Sequence, residues 1–349
     1  MRSIKNKNFK GKTVLIRVDF NVPLDHNRQI ADNTRIIESL PTIKQVLEMG
    51  AKVILLSHLG RPKGRFEMDY SLSPVVPRLN ELLSADVIFS HDAFGEKTVE
   101  RVKRMKNGDI MLLENLRFYP EEESGDEEFA KNLADLGDIY INDAFATAHR
   151  DHASTSKIAK YFNGNKYFGL LMEHEIYNLE KVLHTNSKPF TAIIGGAKVS
   201  SKIDIIKNLI PKVDNMIIGG GMAFTFIKAL DGSVGNSLYE EDKVEVAKAL
   251  VKEMMLKGVN LILPIDIVAA DAFSNNAKTK MVPADEIPDK WMGLDIGIKS
   301  RRRFSEVINN SKTILWNGPM GVFELEHFKL GTKAVAISVA SSTISGAYS

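Results

Sequence analysis

Cysteine is absent from all 349 residues, which excludes a disulfide framework and thiol catalysis. No stretch approaches the ~18 apolar residues that a membrane-spanning helix needs, and residues 1–8 lack the apolar core of a secretory signal. Charge of one sign is also missing: the formal net charge is only +2, too little for a global attraction to nucleic acid or to a membrane surface. Any basic site must therefore be local, and the expectation is a cytoplasmic protein without nucleic-acid or membrane partners. Two nucleotide fingerprints are lacking as well. No Gly-x-Gly-x-x-Gly occurs, which disfavours a nicotinamide oxidoreductase. Gly11-Lys12-Thr13 looks like the end of a P-loop, but Asn6 replaces its first glycine and it precedes a strand instead of following one.

What is present is ordinary globular material, 44% hydrophobic and 26% charged, long enough for two domains. Short apolar runs alternate with helical patterns, which predicts an α/β protein with parallel sheets. In the first half the runs are residues 14–18, 53–56, 87–89, 110–113 and 139–141; in the second, 190–194, 215–218, 261–263 and 313–316. One early helix has Asp32 as its cap, Ile36, Leu40, Ile43 and Leu47 as its apolar stripe, and Gly50 as its end, with a kink expected at Pro41. Beyond Asn163-Gly164-Asn165, residues Met172, Ile176, Leu179 and Leu183 make an amphipathic helix ended by Asn186 and Pro189, suited to connect two domains. The acidic run 121–123 with 126–128 reads as a solvated loop and helix start.

The stretch around which the chain is organised runs from Phe190 to Lys202. A strand, a break at Gly195-Gly196 and a helical pattern at Ile203, Ile206 and Ile210 place Lys198 and Lys202 near the helix start, on one face. Lysines there oppose the helix dipole, at ~0.3–1 kcal/mol each, unless an anion joins them. They either point into solvent or bind phosphate.

In an open α/β sheet, ligands bind beyond the carboxyl ends of the strands. Those positions in the first half hold Asp19 and Asn21, then His58 and Arg61, then Arg117, with His149 and Arg150 following the last strand and Arg35 at the early helix start. Guanidinium forks suit phosphate and carboxylate, so a small, multiply anionic substrate fits. His149 and His152 have a spacing open to metal, but no third ligand is evident. The equivalent positions of the second half are glycine-rich and apolar: Gly195-Gly196, Gly219-Gly220-Gly221, and the loop 317–324. Backbone there can approach a flat, phosphate-bearing ligand.

Arg17-Val18-Asp19-Phe20-Asn21-Val22-Pro23, Ser57-His58-Leu59-Gly60-Arg61-Pro62, Glu114-Asn115-Leu116-Arg117-Phe118, Asn142-Asp143-Ala144-Phe145, Gly195-Gly196-Ala197-Lys198-Val199 and Trp316-Asn317-Gly318-Pro319 together resemble phosphoglycerate kinase, in the right order along residues 1–349. The resemblance implies two doubly wound, Rossmann-like domains: a 3-phosphoglycerate-binding domain over 1–166, a hinge helix over 167–187 and a nucleotide-binding domain over 188–349. It implies a cytoplasmic, glycolytic monomer that moves a phosphoryl group reversibly between 1,3-bisphosphoglycerate and ADP, giving 3-phosphoglycerate and ATP, with magnesium accompanying the nucleotide. It assigns Asp19, Asn21, Arg35, His58, Arg61, Arg117, His149 and Arg150 to the glycerate. Lys202 is assigned to the transferring group and Lys198 to the nucleotide phosphates. Gly195, Gly196, Gly219, Gly220, Gly293 and Val322 would line the adenine and ribose pocket, with Glu324 on the ribose. Arg35 and Lys202 would meet the reacting phosphoryl group when the hinge closes.

Three departures from the family pattern stand out. Ile298 occupies a usual proline position, and Arg301-Arg302-Arg303 replaces a less basic helix start, read here as a solvated face. The sequence also stops at Gly346-Ala347-Tyr348-Ser349, after a helix expected over 331–342 and at the start of a further strand. The family continues with a Gly-Gly-Gly-Asp loop for phosphates and magnesium. The expectation is thus an incomplete second domain, unstable and with little kinase activity when it ends at Ser349. The second function class is a catalytically dead module that still binds glycerate and nucleotide.

Overall fold

The runs that become strands in the first half are apolar at odd and even positions alike, so both faces of the sheet they form must be covered. They are β1 (Thr13–Arg17), β2 (Lys52–Leu56), β3 (Val87–Ser90), β4 (Ile110–Leu113) and β5 (Ile139–Asn142), joined by β6 (Lys166–Phe168), a half-exposed edge strand that was not among the expected runs. The computed structural model describes residues 3–184 and 187–349. It pairs these strands in the order β3-β4-β2-β1-β5-β6, all parallel. Val14, Ile16, Val53 and Leu55 pack into one buried cluster, while Leu15, Ile54, Leu56 and Met111 pack into another on the opposite face. The strand order reverses beside β1, which opens a crevice at the carboxyl ends of β1 and β5.

The chain divides into two compact units, residues 1–178 and 179–349. The helix Leu170–Leu183 carries the expected stripe from one unit into the next. Asn186, expected to help end it, lies outside the described residues.

In the second unit β7 (Phe190–Ile194), β8 (Asn215–Ile218), β9 (Ser233–Val234), β10 (Asn260–Ile262), β11 (Asp266–Ala270), β12 (Thr279–Pro283), β13 (Glu286–Ile287), β14 (Met292–Ile296) and β15 (Thr313–Asn317) follow in turn. The central sheet is parallel, in the order β10-β8-β7-β15, and reverses between β7 and β15. Ile194, Met216 and Ile218 cover one face and Ile193, Ile217 and Ile314 the other. Beside it lies an antiparallel sheet, β12-β11-β14, together with a short parallel β9–β13 pair. Neither of these was among the expected elements.

The early helix runs from Thr34 to Glu48 without a break at Pro41. Proline removes the hydrogen bond that would reach Ile37, and Ile37 is exposed, so water can replace it. Asn33, not Asp32, is the N-cap residue, although Asp32 Oδ1 accepts the Thr34 N–H at 2.7 Å. Gly50 ends the helix as expected, at a φ of 75°.

The acidic run is not simply solvated. Pro120–Ser124 forms a short helix with proline in its first turn, and Glu122 on its inner side is fully buried. Its carboxylate accepts the Ser154 N–H at 2.9 Å and the Ser154 hydroxyl at 2.6 Å.

Ile298 is the first residue of the helix Ile298–Asn309, in which Arg302 and Arg303 are exposed and Arg301 Nε donates to the Ile296 carbonyl. The last helix is Leu330–Ile344. Tyr348 then pairs in parallel with Thr313 on the free side of β15, its carbonyl accepting the Ile314 N–H at 2.8 Å.

Candidate active site

In the first unit the carboxyl ends of β1, β2 and β4 deliver charged side chains that burial holds in place. Arg17, the last residue of β1, is only 1% exposed. Its Nε donates to Ser154 Oγ at 2.9 Å, its Nη1 to the Val18 carbonyl and its Nη2 to His58 Nδ1 at 3.1 Å. Asp19 follows, nearly buried, and Arg35 Nη1 donates to its Oδ2. Asp19 Oδ1 accepts the Asn21 N–H at 3.1 Å, and Asn21 Oδ1 accepts the Gly60 N–H at 2.8 Å. Those bonds tie the loop after β1 to the loop after β2.

Arg117 is also buried, and its Nη1 donates to the Gly60 carbonyl at 2.8 Å. Its Nε lies 3.2 Å from Glu123 Oε1 but out of line for a hydrogen bond, and its Nη2 has no partner among the described residues. A buried guanidinium edge without an acceptor is a place for an anionic ligand. Burial lowers the Arg117 pKa, Glu123 opposes that, and Arg150 and Arg17 add like charge.

The imidazole of His58 records how these cations converge. Burial, then the charges of Arg17, Arg117, Arg150 and Arg35, drive its pKa far below the usual range, so it is neutral. Four guanidiniums therefore bear on one buried point. Of the four, Arg17 and Arg117 are buried, Arg150 is half-buried and Arg35 is exposed; Arg61 and His149 are exposed and take no part in the set. Arg17 was not among the expected ligands; the signal was a charged residue closing an apolar run at the crevice end of its strand.

In the second unit, the loops at the β7–β15 reversal are locked backbone to backbone. Gly196 N–H donates to the Pro319 carbonyl at 3.0 Å and Gly220 N–H to the Met320 carbonyl at 3.1 Å. A Cβ on Gly195 would lie 2.1 Å from the Pro319 oxygen, and one on Gly219 would lie 2.4 Å from Met320 Sδ. Gly195 is required by the protein's own packing, because what it meets is backbone, whereas Gly219 meets the flexible end of the Met320 side chain; neither lines the pocket itself. Gly196, Gly220 and Gly293 reach the cavity itself, which has a volume of about 780 Å³ and whose walls include Phe224, Leu238, Phe273, Val322 and Glu324. Largely apolar walls over a backbone floor suit a flat heterocycle.

The two lysines do not share a helix face. The helix starts at Ile203, with Lys202 as its N-cap residue, so Lys198 lies in the preceding loop. The turn closes early because Val199 is buried and its carbonyl accepts the Lys202 N–H at 2.8 Å, while Glu240 fixes Ser200 through its N–H and hydroxyl at 2.8 and 2.6 Å. Lys202 Nζ donates to Asn317 Oδ1, and burial lowers its pKa. Lys198 is exposed.

A sequence model described as phosphoglycerate kinase matches residues 4–349. The chain belongs to the phosphoglycerate kinase family. It is 52% identical to phosphoglycerate kinase 3, cytosolic, of Arabidopsis thaliana over 338 residues, covering 97% of this chain and 84% of that one. It is 50% identical to the phosphoglycerate kinase of Prosthecochloris aestuarii, covering 100% and 87%. The solved phosphoglycerate kinase of Coxiella burnetii superposes with a TM-score of 0.80 at 40% identity, covering 98% and 86%.

The protein is therefore a phosphotransferase acting as a phosphoglycerate kinase, with phosphoglycerate and nucleotide as substrates, and ATP and ADP as the nucleotides. The reading as an inactive binding module gives way to it. No helix among the described residues is long and apolar enough to cross a membrane. Nor do three or more acidic or imidazole groups gather as a metal site among them.

Proposed function

We propose that the first unit holds 3-phosphoglycerate or 1,3-bisphosphoglycerate and that the second holds ADP or ATP, residues 1–166 and 188–349 being the two domains and 167–187 their linker. What supports the glycerate side is the convergence of Arg17, Arg35, Arg117 and Arg150 on neutral His58, with Arg117 Nη2 unpartnered among the described residues. Asp19 and Asn21 orient this set, and Arg61 and His149 join it from the exposed rim. A multiply anionic substrate neutralises cations that otherwise repel one another.

On the nucleotide side, Gly196, Gly220, Gly293 and Val322 contact the base and ribose, with Gly195 and Gly219 beneath as the support that lets the floor lie flat. Glu324 accepts from the ribose hydroxyls and Lys198 contacts the phosphates. Lys202, held by Asn317, and Arg35 neutralise the equatorial oxygens of the moving phosphoryl group. No covalent enzyme intermediate is needed, because in-line phosphoryl transfer depends on positioning and charge neutralisation.

Magnesium accompanies the nucleotide phosphates. Asp295, an acid at the cavity wall, already accepts the Gly331 and Ile296 N–H groups, so no residue here is assigned to the ion. The protein works as a cytoplasmic monomer, in keeping with relatives named cytosolic from Arabidopsis thaliana, Nicotiana tabacum and Triticum aestivum.

Titration calorimetry with 3-phosphoglycerate and with ADP, on the wild type and on Arg35→Ala and Lys198→Ala variants, tests the assignment. Each variant is expected to weaken one ligand and spare the other. A loss of both ligands in each variant, with the fold intact, would overturn the division of labour.

A further inference from the structure

The Arg17 guanidinium is buried and, among the described residues, has no carboxylate against it. Its three acceptors among them are the Val18 carbonyl, Ser154 Oγ and His58 Nδ1, all neutral. The counter-charge stands one residue further away. Ser154 Oγ lies 2.6 Å from Glu122 Oε1, and the Ser154 N–H donates to Oε2 at 2.9 Å. Glu122 is itself fully buried, and no cation touches it among the described residues. Two buried opposite charges are thus joined through one hydroxyl.

The proton directions in this row follow from what each group can do. A carboxylate only accepts, so Ser154 gives Glu122 its single hydroxyl proton. Its lone pairs are then free for Arg17 Nε. A guanidinium only donates, so His58 Nδ1 must accept, and the imidazole proton lies on Nε2. Nε2 has no acceptor among the described residues and remains a donor for a ligand.

We propose that Glu122 and Ser154 are positioning residues for the substrate crevice: through Arg17 they hold His58 as the Nε2–H tautomer and keep the Arg17 charge fixed beside it. They touch neither substrate nor reacting atoms. The inference rests on the reading of this crevice as the glycerate site. It also explains why a glutamate from an acidic surface run turns inward: only there can it compensate a guanidinium that a strand end has buried.

The test uses the full chain, uniformly labelled with ¹⁵N, with the His58 ring signals assigned by their loss in His58→Gln. In the wild type, long-range ¹H–¹⁵N spectra are expected to show Nε2–H and unprotonated Nδ1, unchanged between about pH 5.5 and 8.5. Ser154→Ala is expected to shift those signals towards a tautomer mixture. Loss of one buried hydrogen bond in the row is expected to raise the 3-phosphoglycerate Kd about three- to tenfold and to leave ADP binding unchanged. Glu122→Gln, which keeps the shape and removes the charge, is expected to act in the same direction. Ser154→Thr, which keeps the hydroxyl, is expected to restore the wild-type pattern.

A proton on Nδ1 in the wild type, or titration of His58 near its usual pKa, would overturn the proposal even if neither variant folds. So would folded Ser154→Ala and Glu122→Gln proteins with wild-type His58 signals. Arg35→Ala separates the two layers of argument. Unchanged 3-phosphoglycerate affinity in that variant would sink the glycerate assignment, while the His58 signals would still decide the relay.

Discussion

Lys202 Nζ rests on Asn317, donating to the side-chain carbonyl Oδ1 and lying 3.4 Å from the backbone carbonyl. The ammonium is therefore held by neutral dipoles and has no carboxylate partner among the described residues, so its full charge is available to a phosphoryl group. Lys202→Ala is expected to lower kcat about 100-fold or more, as for other groups aimed at developing charge, while the Kd for ADP changes little. Coupled-assay kinetics beside calorimetry give both quantities. Preserved turnover at saturation would remove Lys202 from the chemistry.

Arg35 and Arg61 differ in what they leave behind. Arg61 is exposed, so Arg61→Ala removes a ligand contact alone, whereas Arg35→Ala also strips Asp19 of its ion-pair partner. One charge-assisted contact contributes ~1.5–3 kcal/mol, so 3-phosphoglycerate binding is expected to weaken about 10- to 150-fold for Arg61→Ala. Arg35→Ala is expected to do at least as much, because an unpaired Asp19 repels the anion. Titrations with wild-type affinity in either variant would contradict the site.

Gly195→Ala tests the packing beneath the nucleotide pocket. The new methyl would sit 2.1 Å from the Pro319 carbonyl oxygen, a backbone atom that cannot rotate away. Overpacking of this kind costs about 1–3 kcal/mol or more. Both tryptophans, Trp291 and Trp316, belong to the second unit, so urea unfolding followed by their fluorescence reports that unit alone. An unchanged midpoint would show that the 317–321 loop yields.

Asp295 gives the second unit a pH-dependent stability. Burial pushes its carboxyl up to about 6, against the stabilising Gly331 and Ile296 N–H bonds and the Arg301 charge. The folded state thus takes up a proton that the unfolded state, with a pKa near 3.8, does not hold between those two values. Stability from this group is highest below pH 4 and falls as pH rises towards about 6, by on the order of 3 kcal/mol. Asp295→Asn is expected to be less stable overall, since an amide cannot accept from both N–H groups through two oxygens, but to lack that fall. Parallel stability-versus-pH curves for the two proteins would refute the assignment.

Much of this was legible in the sequence, for identifiable reasons. Strands such as Phe190–Ile194 and Ile110–Leu113 are buried on both faces, so an uninterrupted apolar run marks them almost to the residue. The antiparallel sheet was not legible, because Thr279–Pro283 is half exposed and reads Thr-Lys-Met-Val-Pro, a pattern that a loop could equally carry. Helical spacing at Ile203, Ile206 and Ile210 gave the helix but not its first turn, which Val199 burial and the Glu240–Ser200 bonds decide. Arg117 and Arg35 could be picked out as strand-end and helix-start cations. Glu122 could not, since only tertiary contact with Ser154 separates it from its exposed neighbours.

The interlocked glycine loops also constrain how such a protein can diverge. Where Gly195 and Gly220 press against the backbone of Pro319 and Gly196, any side chain meets another part of the same polypeptide before it meets a ligand. Selection acting on nucleotide preference has little raw material in that floor. Heritable variation that survives folding must enter through wall positions such as Leu238, Phe273 and Val322, where a changed side chain faces open space. The floor is expected to stay nearly silent across lineages while the walls drift, so that differences in affinity among descendants are written in the rim of the pocket.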